Sequence, residues 1–346
     1  MKKRYCFFII LVLAVCLAAW SSGSSEGGVS EELTEEILII YAYDSFVSDW
    51  GPAGQIIPVF EEKTGIQVKI QGMGDSGQVL SRAILEIEDP QADIIIGIDN
   101  NRLSKALESG VLSPYTPKTI EMVPPELLFD KTNHVIPFDY GYFSIIYDSE
   151  KVSDPPSSLD DLTKEQFRSS LILMDPRTSN PGLGFLLWTI QEYGDSYLEY
   201  WSKLQPSILT ITEGWDSGYG LFTSGEAPMV LSYTTSPAYH VEFEETSRYR
   251  AAIFNKGNYL HIEGMGIAKN APHRKSAELF MDFMLTEDFQ KVIPLTNFMY
   301  PVNRKAALPD SFDYAPNAEK TLMLEAGEIS RNHEKWLQEW TELLSK

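Results

Sequence analysis

The run ADIIIGI at residues 92–98 decides the fold class. The strand it predicts is apolar on both faces, as in a parallel sheet covered by helices on each side. Working outward, ILIIYAY (37–43) is a second continuous apolar run of strand length, and Ile66 to Ile70 alternates as a third strand. Between these runs, Gly51 to Gly65 predicts a helix closed by its final glycine. Ser76 to about Ile87 predicts a second helix and Asn100 to Leu112 another. Three strand–helix units in succession predict an α/β lobe with a mostly parallel sheet.

Residues 134–148 (HVIPFDYGYFSIIYD) break that pattern, being β-rich and punctuated by Pro137 and Gly141. They read as a segment crossing to a second lobe. A second α/β series follows, with strands at Leu171–Met174, Ile208–Ile211 and Met229–Tyr233, each leading through a loop into a helix. Tyr259 to Ala268 predicts a strand that returns to the first lobe. Amphipathic helices at about 274–291 and 318–345 close the chain, and no internal repeat is present. The expected organisation is an export signal at 1–20 and a flexible acidic tether at 21–36. A first lobe takes 37–136 plus 259–346 with the C-terminal helices, and a second lobe takes 137–258.

At 346 residues the chain is long enough for two lobes with sizeable cores. Its formal charge of −21 excludes nucleic acid, which needs clustered Lys and Arg, and favours a cationic ligand. Lys2, Lys3 and Arg4 precede an unbroken apolar run from Tyr5 to Trp20, which is shorter than the roughly 20 residues of a spanning helix and reads as an export signal. Both cysteines, Cys6 and Cys16, lie inside it, so the mature protein is expected to lack disulfides, thiol nucleophiles and cysteine metal ligands. Leu17-Ala18-Ala19 and the Ser/Gly tether match a lipoprotein signal, except that Trp20 stands where the acylated Cys belongs. That departure speaks against a lipid anchor.

Open α/β sheets bind ligands beyond the carboxyl ends of their strands. Tyr43-Asp44-Ser45, Gly74-Asp75-Ser76, Asp99-Asn100, Thr178-Ser179-Asn180, Gly214-Trp215 and Ser232-Tyr233 stand at such positions. Tyr43, Trp50, Trp215, Tyr219, Tyr233, Tyr239 and Phe298 all adjoin loop signals, not the interiors of apolar runs. Aromatic faces there suit a flat, cationic ligand, since a cation over Trp or Tyr gains ~0.5–2 kcal/mol. Arg177 to Gly182 follows a strand and opens a helix, so its N–H groups and the Ser179 hydroxyl can hold a phosphate or serve simply as a cap.

Catalytic patterns fail on inspection. Gly74-Asp75-Ser76-Gly77 spells the nucleophile loop of trypsin-like proteases, but Gln78 stands where a further Gly belongs, and Ser76 reads as a helix N-cap. In Gly214-Trp215-Asp216-Ser217-Gly218 the serine falls one place late for a nucleophile elbow. No zinc-protease helix, EF-hand loop or Walker loop occurs. Asp99, Asp139 and Asp175 read as caps and hinge partners. No catalytic residue, metal ligand or cofactor is expected.

Seven strings then carry a resemblance: YAYDSFVSDWGP (41–52), ADIIIGIDNN (92–101), PFDYGYF (137–143), DPRTSNPGLGFLLW (175–188), GWDSGYGLF (214–222), VLSYTTSPAYH (230–240) and NFMYPV (297–302). From about Leu38 to Trp340 the chain resembles the bacterial periplasmic thiamine-binding proteins, the substrate-binding components of thiamine ABC importers. The resemblance implies a two-lobed type II periplasmic-binding-protein fold with the ligand cleft between the lobes. It also implies capture of thiamine, thiamine monophosphate or thiamine diphosphate, delivery to the importer's permease and ATPase subunits, and a monomer in the periplasm.

Residue by residue, the family's ring-binding aromatics fall on Tyr43, Trp50, Trp215, Tyr239 and Phe298, the last where the family has Trp. The ligand carboxylate falls on Asp75, and Ser179 and Tyr233 fall near the phosphate or hydroxyethyl end. Two other functions remain in view: an iron(III)-binding protein of the same fold, and a secreted hydrolase using Asp44 or Asp75. Iron-binding relatives supply two adjacent tyrosines, whereas Tyr233 is followed by Thr234 and Thr235.

Overall fold

The computed structural model describes residues 37–345. The expected export signal, its lipobox and the acidic tether lie outside the described residues. Strand β1 (Ile37–Ala42), helix α1 (Ala53–Thr64), β2 (Gln67–Gly72), α2 (Ser76–Leu85), β3 (Ile94–Asp99) and α3 (Leu103–Ser109) build the first lobe. β1 pairs in parallel with both β2 and β3, and every residue of β3 is buried. Gly65 ends α1 in the left-handed region, at φ 74°, which a residue without Cβ adopts at no steric cost.

The long strand β4 (Ile136–Asp148) carries the chain into a second lobe. There follow β5 (Leu171–Met174), α4 (Asn180–Tyr193), α5 (Tyr197–Leu204), β6 (Ile208–Thr212), α6 (Trp215–Thr223), β7 (Met229–Tyr233) and α7 (Ser236–Glu244). β5 runs parallel to both β6 and β7. β8 (Asn258–Ala268) then returns, antiparallel to β3. β4 serves both lobes: Ile136–Tyr142 pairs with β8, and Phe143–Tyr147 pairs with β7. Phe138 accordingly lies in a core with Leu38, Ile40, Ile94 and Phe280, whereas Phe143 lies in a second core with Leu173, Trp188 and Trp201. This is the two-lobed α/β architecture expected from the sequence, with 134–148 as its crossing.

The termini of several elements differ from expectation for identifiable reasons. The helix expected at 100–112 is only α3, because Asn100 accepts a hydrogen bond from the Ile262 amide (2.9 Å) and Gly110 turns the chain at φ 68°. The one expected at 274–291 stops at Phe283 as α8 (Arg274–Phe283), and the extended Thr286 starts a separate turn over Glu287–Gln290. The last helix, α9 (Ala326–Leu344), starts eight residues later than expected. Thr321–Leu322 instead pairs as strand with Asn258–Tyr259, and the Leu324 amide donates to the Tyr259 hydroxyl (3.2 Å).

α9 also changes lobe relative to expectation. Ile329, Trp336 and Trp340 pack into the second core, with the Trp340 ring edge-on to Trp201 at 5.6 Å. The assignment of the C-terminal helices to the first lobe is therefore corrected for this one. Amphipathic spacing gives the buried face of a helix but not the lobe that receives it.

Candidate functional site

Of the strand ends singled out, Tyr43–Ser45, Gly74–Ser76, Gly214–Trp215 and Tyr233 line one cleft between the two cores, whereas Asp99–Asn100 and Thr178–Asn180 line no part of it. Its first chamber, about 300 Å³, is lined from the first lobe by Tyr43, Asp44, Trp50, Asp75 and Gln78. From the second lobe it receives Glu213, Trp215, Asp216 and Tyr233, with Glu263, Asn297 and Phe298 closing the floor and side. A second chamber of about 370 Å³ adds Tyr219, Tyr239 and Glu244 and shares Trp50, Trp215, Asp216, Ser236 and Phe298 with the first. Together they form one continuous cleft with an aromatic pair at its waist. The rings of Trp50 and Trp215 stand 6.1 Å apart at 58°.

Trp215 is held firmly. Its indole N–H donates to Ser232 Oγ (2.8 Å), and its ring stacks on Tyr219 at 4.8 Å and 20°. Tyr219 is anchored in turn by its hydroxyl on His240 Nε2 (2.8 Å), and His240 Nδ1 meets Glu244 (2.7 Å). Trp50 stays 43% exposed at the rim, so one wall is fixed and the facing one is open to solvent. Tyr239, on α7, meets Phe298 edge-on at 5.0 Å and 88°. Phe298 takes φ 51°, a conformation that costs a non-glycine residue ~1–3 kcal/mol and concentrates at ligand sites.

Asp75 occupies the join between lobes. One carboxylate oxygen accepts from the Ser76 amide (2.6 Å), at the start of α2. The other accepts from the Trp215 amide (3.0 Å), at the start of α6 in the opposite lobe. The residue is the N-cap of α2, with Gln78 reaching back to the Asp75 amide (2.8 Å) to complete a capping box. The expected cap at Ser76 is thus corrected by one position: two good cap formers stand side by side, and the carboxylate takes the role. Gly214 permits this approach, since a Cβ there would lie 2.9 Å from the Asp75 carboxylate oxygen. Burial raises the Asp75 carboxyl above the usual range, while the Trp215 and Ser76 N–H groups, Ser179 and Arg102 hold it down.

Ser179 is not in the cleft. It is fully buried behind Asp75 and lines neither chamber. Its hydroxyl lies close enough to Asp75 to favour the charged carboxylate but falls short of hydrogen-bond geometry with any group. The other seven expected residues all line one chamber or both: Tyr43, Asp75 and Tyr233 the first, Tyr239 the second, Trp50, Trp215 and Phe298 both.

Beneath the first chamber lies a polar cluster on the crossing strands. The Tyr43 hydroxyl donates to Glu263 (2.9 Å), and Asn297 donates to Asp139 (2.6 Å). His261 is fully buried, 3.4 Å from Asp99 and 3.3 Å from Glu263, within ion-pair reach though without hydrogen-bond geometry. Burial pushes the imidazole down, but the two carboxylates outweigh it and hold it up at about 10. Burial and the neighbouring Glu263 raise the Asp139 carboxyl well above its usual range. Close by, the buried Arg102 joins the lobes through its Nε on Asn180 (2.5 Å) and its guanidinium on the Ser179 carbonyl (3.3 Å).

Asp44 stands in a strand-end stretch already singled out, but sequence inspection missed the rest of the acidic lining, namely Glu213, Asp216 and Glu263. For Glu213 and Asp216 the available signal was position, since one follows a predicted strand and the other adjoins Trp215, whereas Glu263 lies in the middle of the strand predicted at 259–268 and carried no such signal. Asp216 keeps exposed surface at the cleft mouth, yet desolvation by the walls and the charges of Asp75 and Asp44 raise its carboxyl to about 6. Among the described residues, no group of three or more His, Cys, Asp or Glu is arranged to hold a metal ion.

Residues 89–321 match the family model described as bacterial extracellular solute-binding protein. The thiamine-binding periplasmic protein of Brucella melitensis is 43% identical over 89% of this chain and 92% of its own length. That of Escherichia coli is 37% identical over 90% of this chain and 94% of its own. A solved periplasmic thiamin binding protein superposes with a TM-score of 0.85 at 37% identity, covering 90% of this chain and 96% of that one.

Proposed function

The chain belongs to the bacterial extracellular solute-binding proteins, among the thiamine-binding periplasmic group, and from that membership we propose that its cleft captures thiamine between Trp50 and Trp215. The protein is a thiamine-binding solute-binding protein of an ABC importer, exported and periplasmic, in a family of transport proteins and not of enzymes. Its partners are the membrane permease and the ATPase that drives it, and the working unit is the single chain.

The observation that carries the ligand assignment is the pairing of aromatic walls with carboxylates in one cleft. Thiamine has two flat rings, one a permanent cation. A cation placed over Trp gains ~0.5–2 kcal/mol, more where water is excluded. Tyr43, Tyr233, Tyr239 and Phe298 add apolar edge around such rings, and Asp75 offers charge to a cationic or amino-bearing group. Asp75 also joins α2 to α6 across the cleft, so a ligand bound there holds the lobes together. An iron(III) ligand set is less supported. Tyr233 has no tyrosine beside it, and the relatives at 43% and 37% identity bear the thiamine name.

Tryptophan fluorescence tests the assignment. Thiamine should quench the purified protein saturably, with the quench reduced in Trp50→Ala and Trp215→Ala. An unchanged spectrum up to millimolar thiamine counts against it.

A further inference from the structure

We infer that Gly77 and Asn180, neither of which lines the cleft, set how long thiamine stays bound, because they build a seam between the lobes that must part each time the cleft opens; the inference rests on the thiamine assignment above. One polar and one steric observation carry it.

The seam lies where the start of α2 and the end of β3, in the first lobe, meet the start of α4 in the second. Gly77, Gly97, Arg102, Thr178 and Asn180 make it, and none of them lines either chamber. Asn180 is 1% exposed and turns both ends of its amide to the opposite lobe. Its Oδ1 accepts from Arg102 Nε (2.5 Å), and its Nδ2 donates to the Gly97 carbonyl (3.2 Å). Arg102 Nη2 also donates to the Ser179 carbonyl (3.3 Å). At the exposed end of the same junction, Gln78 Nε2 donates to Glu213 (2.7 Å).

The steric observation concerns Gly77, the second glycine of the Gly74-Asp75-Ser76-Gly77 stretch. It lies within α2, where the backbone suits any residue, so its own conformation does not call for glycine. The other lobe does. A Cβ at Gly77 would lie 2.5 Å from the Thr178 carbonyl oxygen and 2.7 Å from Arg102 Nη2, closer than such atoms come. The absence of a side chain lets the second lobe settle against α2.

β4 carries the chain across to the second lobe and β8 returns it, so the lobes can swing about these strands. A ligand enclosed between them leaves only as they part, which breaks both Asn180 bonds and the Gly77 contact. It enters before the seam forms. Seam strength therefore acts on the off-rate and not on the on-rate, the pattern usual among variants of one binding surface.

Stopped-flow tryptophan fluorescence with thiamine tests this on wild type, Asn180→Ala, Gly77→Ala and the control Gly54→Ala, where a Cβ meets nothing within 4 Å. The off-rate should rise on the order of tenfold in Asn180→Ala and further in Gly77→Ala, with on-rates within about twofold of wild type and Gly54→Ala unchanged. X-ray scattering in saturating thiamine should give Gly77→Ala the larger radius of gyration, because the added methyl holds the lobes ajar. Alanine favours helix over glycine, so Gly77→Ala keeps α2 and decides alone if Asn180→Ala does not fold. Wild-type off-rates in both variants, with or without lost stability in urea, overturn the inference and leave the thiamine assignment standing. A lowered on-rate at an unchanged off-rate also overturns it and makes the two residues structural only. No fluorescence change with thiamine in wild type overturns the assignment and the inference with it.

Discussion

The cleft and the cluster beneath it are made of the same residue types, yet they behave oppositely. In the cluster, Asp99, Glu263 and Asp139 are answered from within the protein by His261, the Tyr43 hydroxyl and Asn297. In the cleft, Asp44, Glu213 and Asp216 face open volume beside aromatic rings, with no lining cation among the described residues. The lesson is that charge count does not identify a cation site. What identifies it is which carboxylates the fold leaves without a positive partner. Glu263 and Tyr43 belong to both regions, so the cluster also fixes the floor of the cleft.

The comparison is broken most severely at His261. His261→Leu leaves two buried carboxylates without their cation, and such losses typically cost ~3–5 kcal/mol. Urea unfolding should show that loss in stability, with any effect on ligand affinity following from it. Wild-type pH dependence sharpens the point. The folded imidazole is held up at about 10 against an ordinary value of 6.5, so its contribution is fully present below pH 6.5. That contribution fades as pH rises toward 10, and the raised Asp139 carboxyl acts in the same direction. A stability that stays flat from pH 6.5 to 10 contradicts the account of the cluster.

Asp75 comes next. Asp75→Asn keeps one acceptor but loses the charge that takes N–H bonds from both lobes. A hydrogen bond to a charged group is worth ~1.5–3 kcal/mol, so thiamine affinity should fall roughly 10- to 150-fold in calorimetry. Wild-type affinity in this variant makes Asp75 a helix cap alone.

How much of this was legible beforehand follows from the physics of each residue. The apolar runs at 37–43 and 92–98 announced buried parallel strands because burial on both faces leaves no other composition. Trp50, Trp215 and Tyr239 stood out because large aromatics beside turn residues are poorly accounted for by a core. Asp216 and Glu213 did not, since an isolated carboxylate in a sequence looks like any solvated surface. Their meaning comes from facing the far lobe. Ser179 was misplaced into the cleft because a helix start predicts free donors but not which way they open. Leu322 fits the helical pattern that follows it, and only its long-range pairing beside Tyr259 makes it strand.

Smaller effects test the cleft itself. Asp216, raised to about 6, should protonate as pH falls through that value and withdraw its charge from a bound cation. Thiamine affinity should therefore weaken a few-fold between about pH 7 and 5, on the scale of the ~0.2–1 kcal/mol of an exposed ion pair. This is the opposite sign to the stability of the cluster, and titrations across that range read it directly. Phe298→Trp enlarges the aromatic wall and should tighten binding by ~0.5–1 kcal/mol if the second chamber accepts the indole. Packing against Tyr239 instead turns the change into a loss of ~1–3 kcal/mol. Phe298→Ala binding like wild type shows that the ring does not touch the ligand.

The most direct test is a calorimetric titration of the purified wild-type protein with thiamine, followed by recovery of the ligand. The account predicts saturable binding of one thiamine per chain, with all of the vitamin recovered intact after hours of incubation. No heat of binding at millimolar thiamine, or a steady loss of intact thiamine, would contradict it.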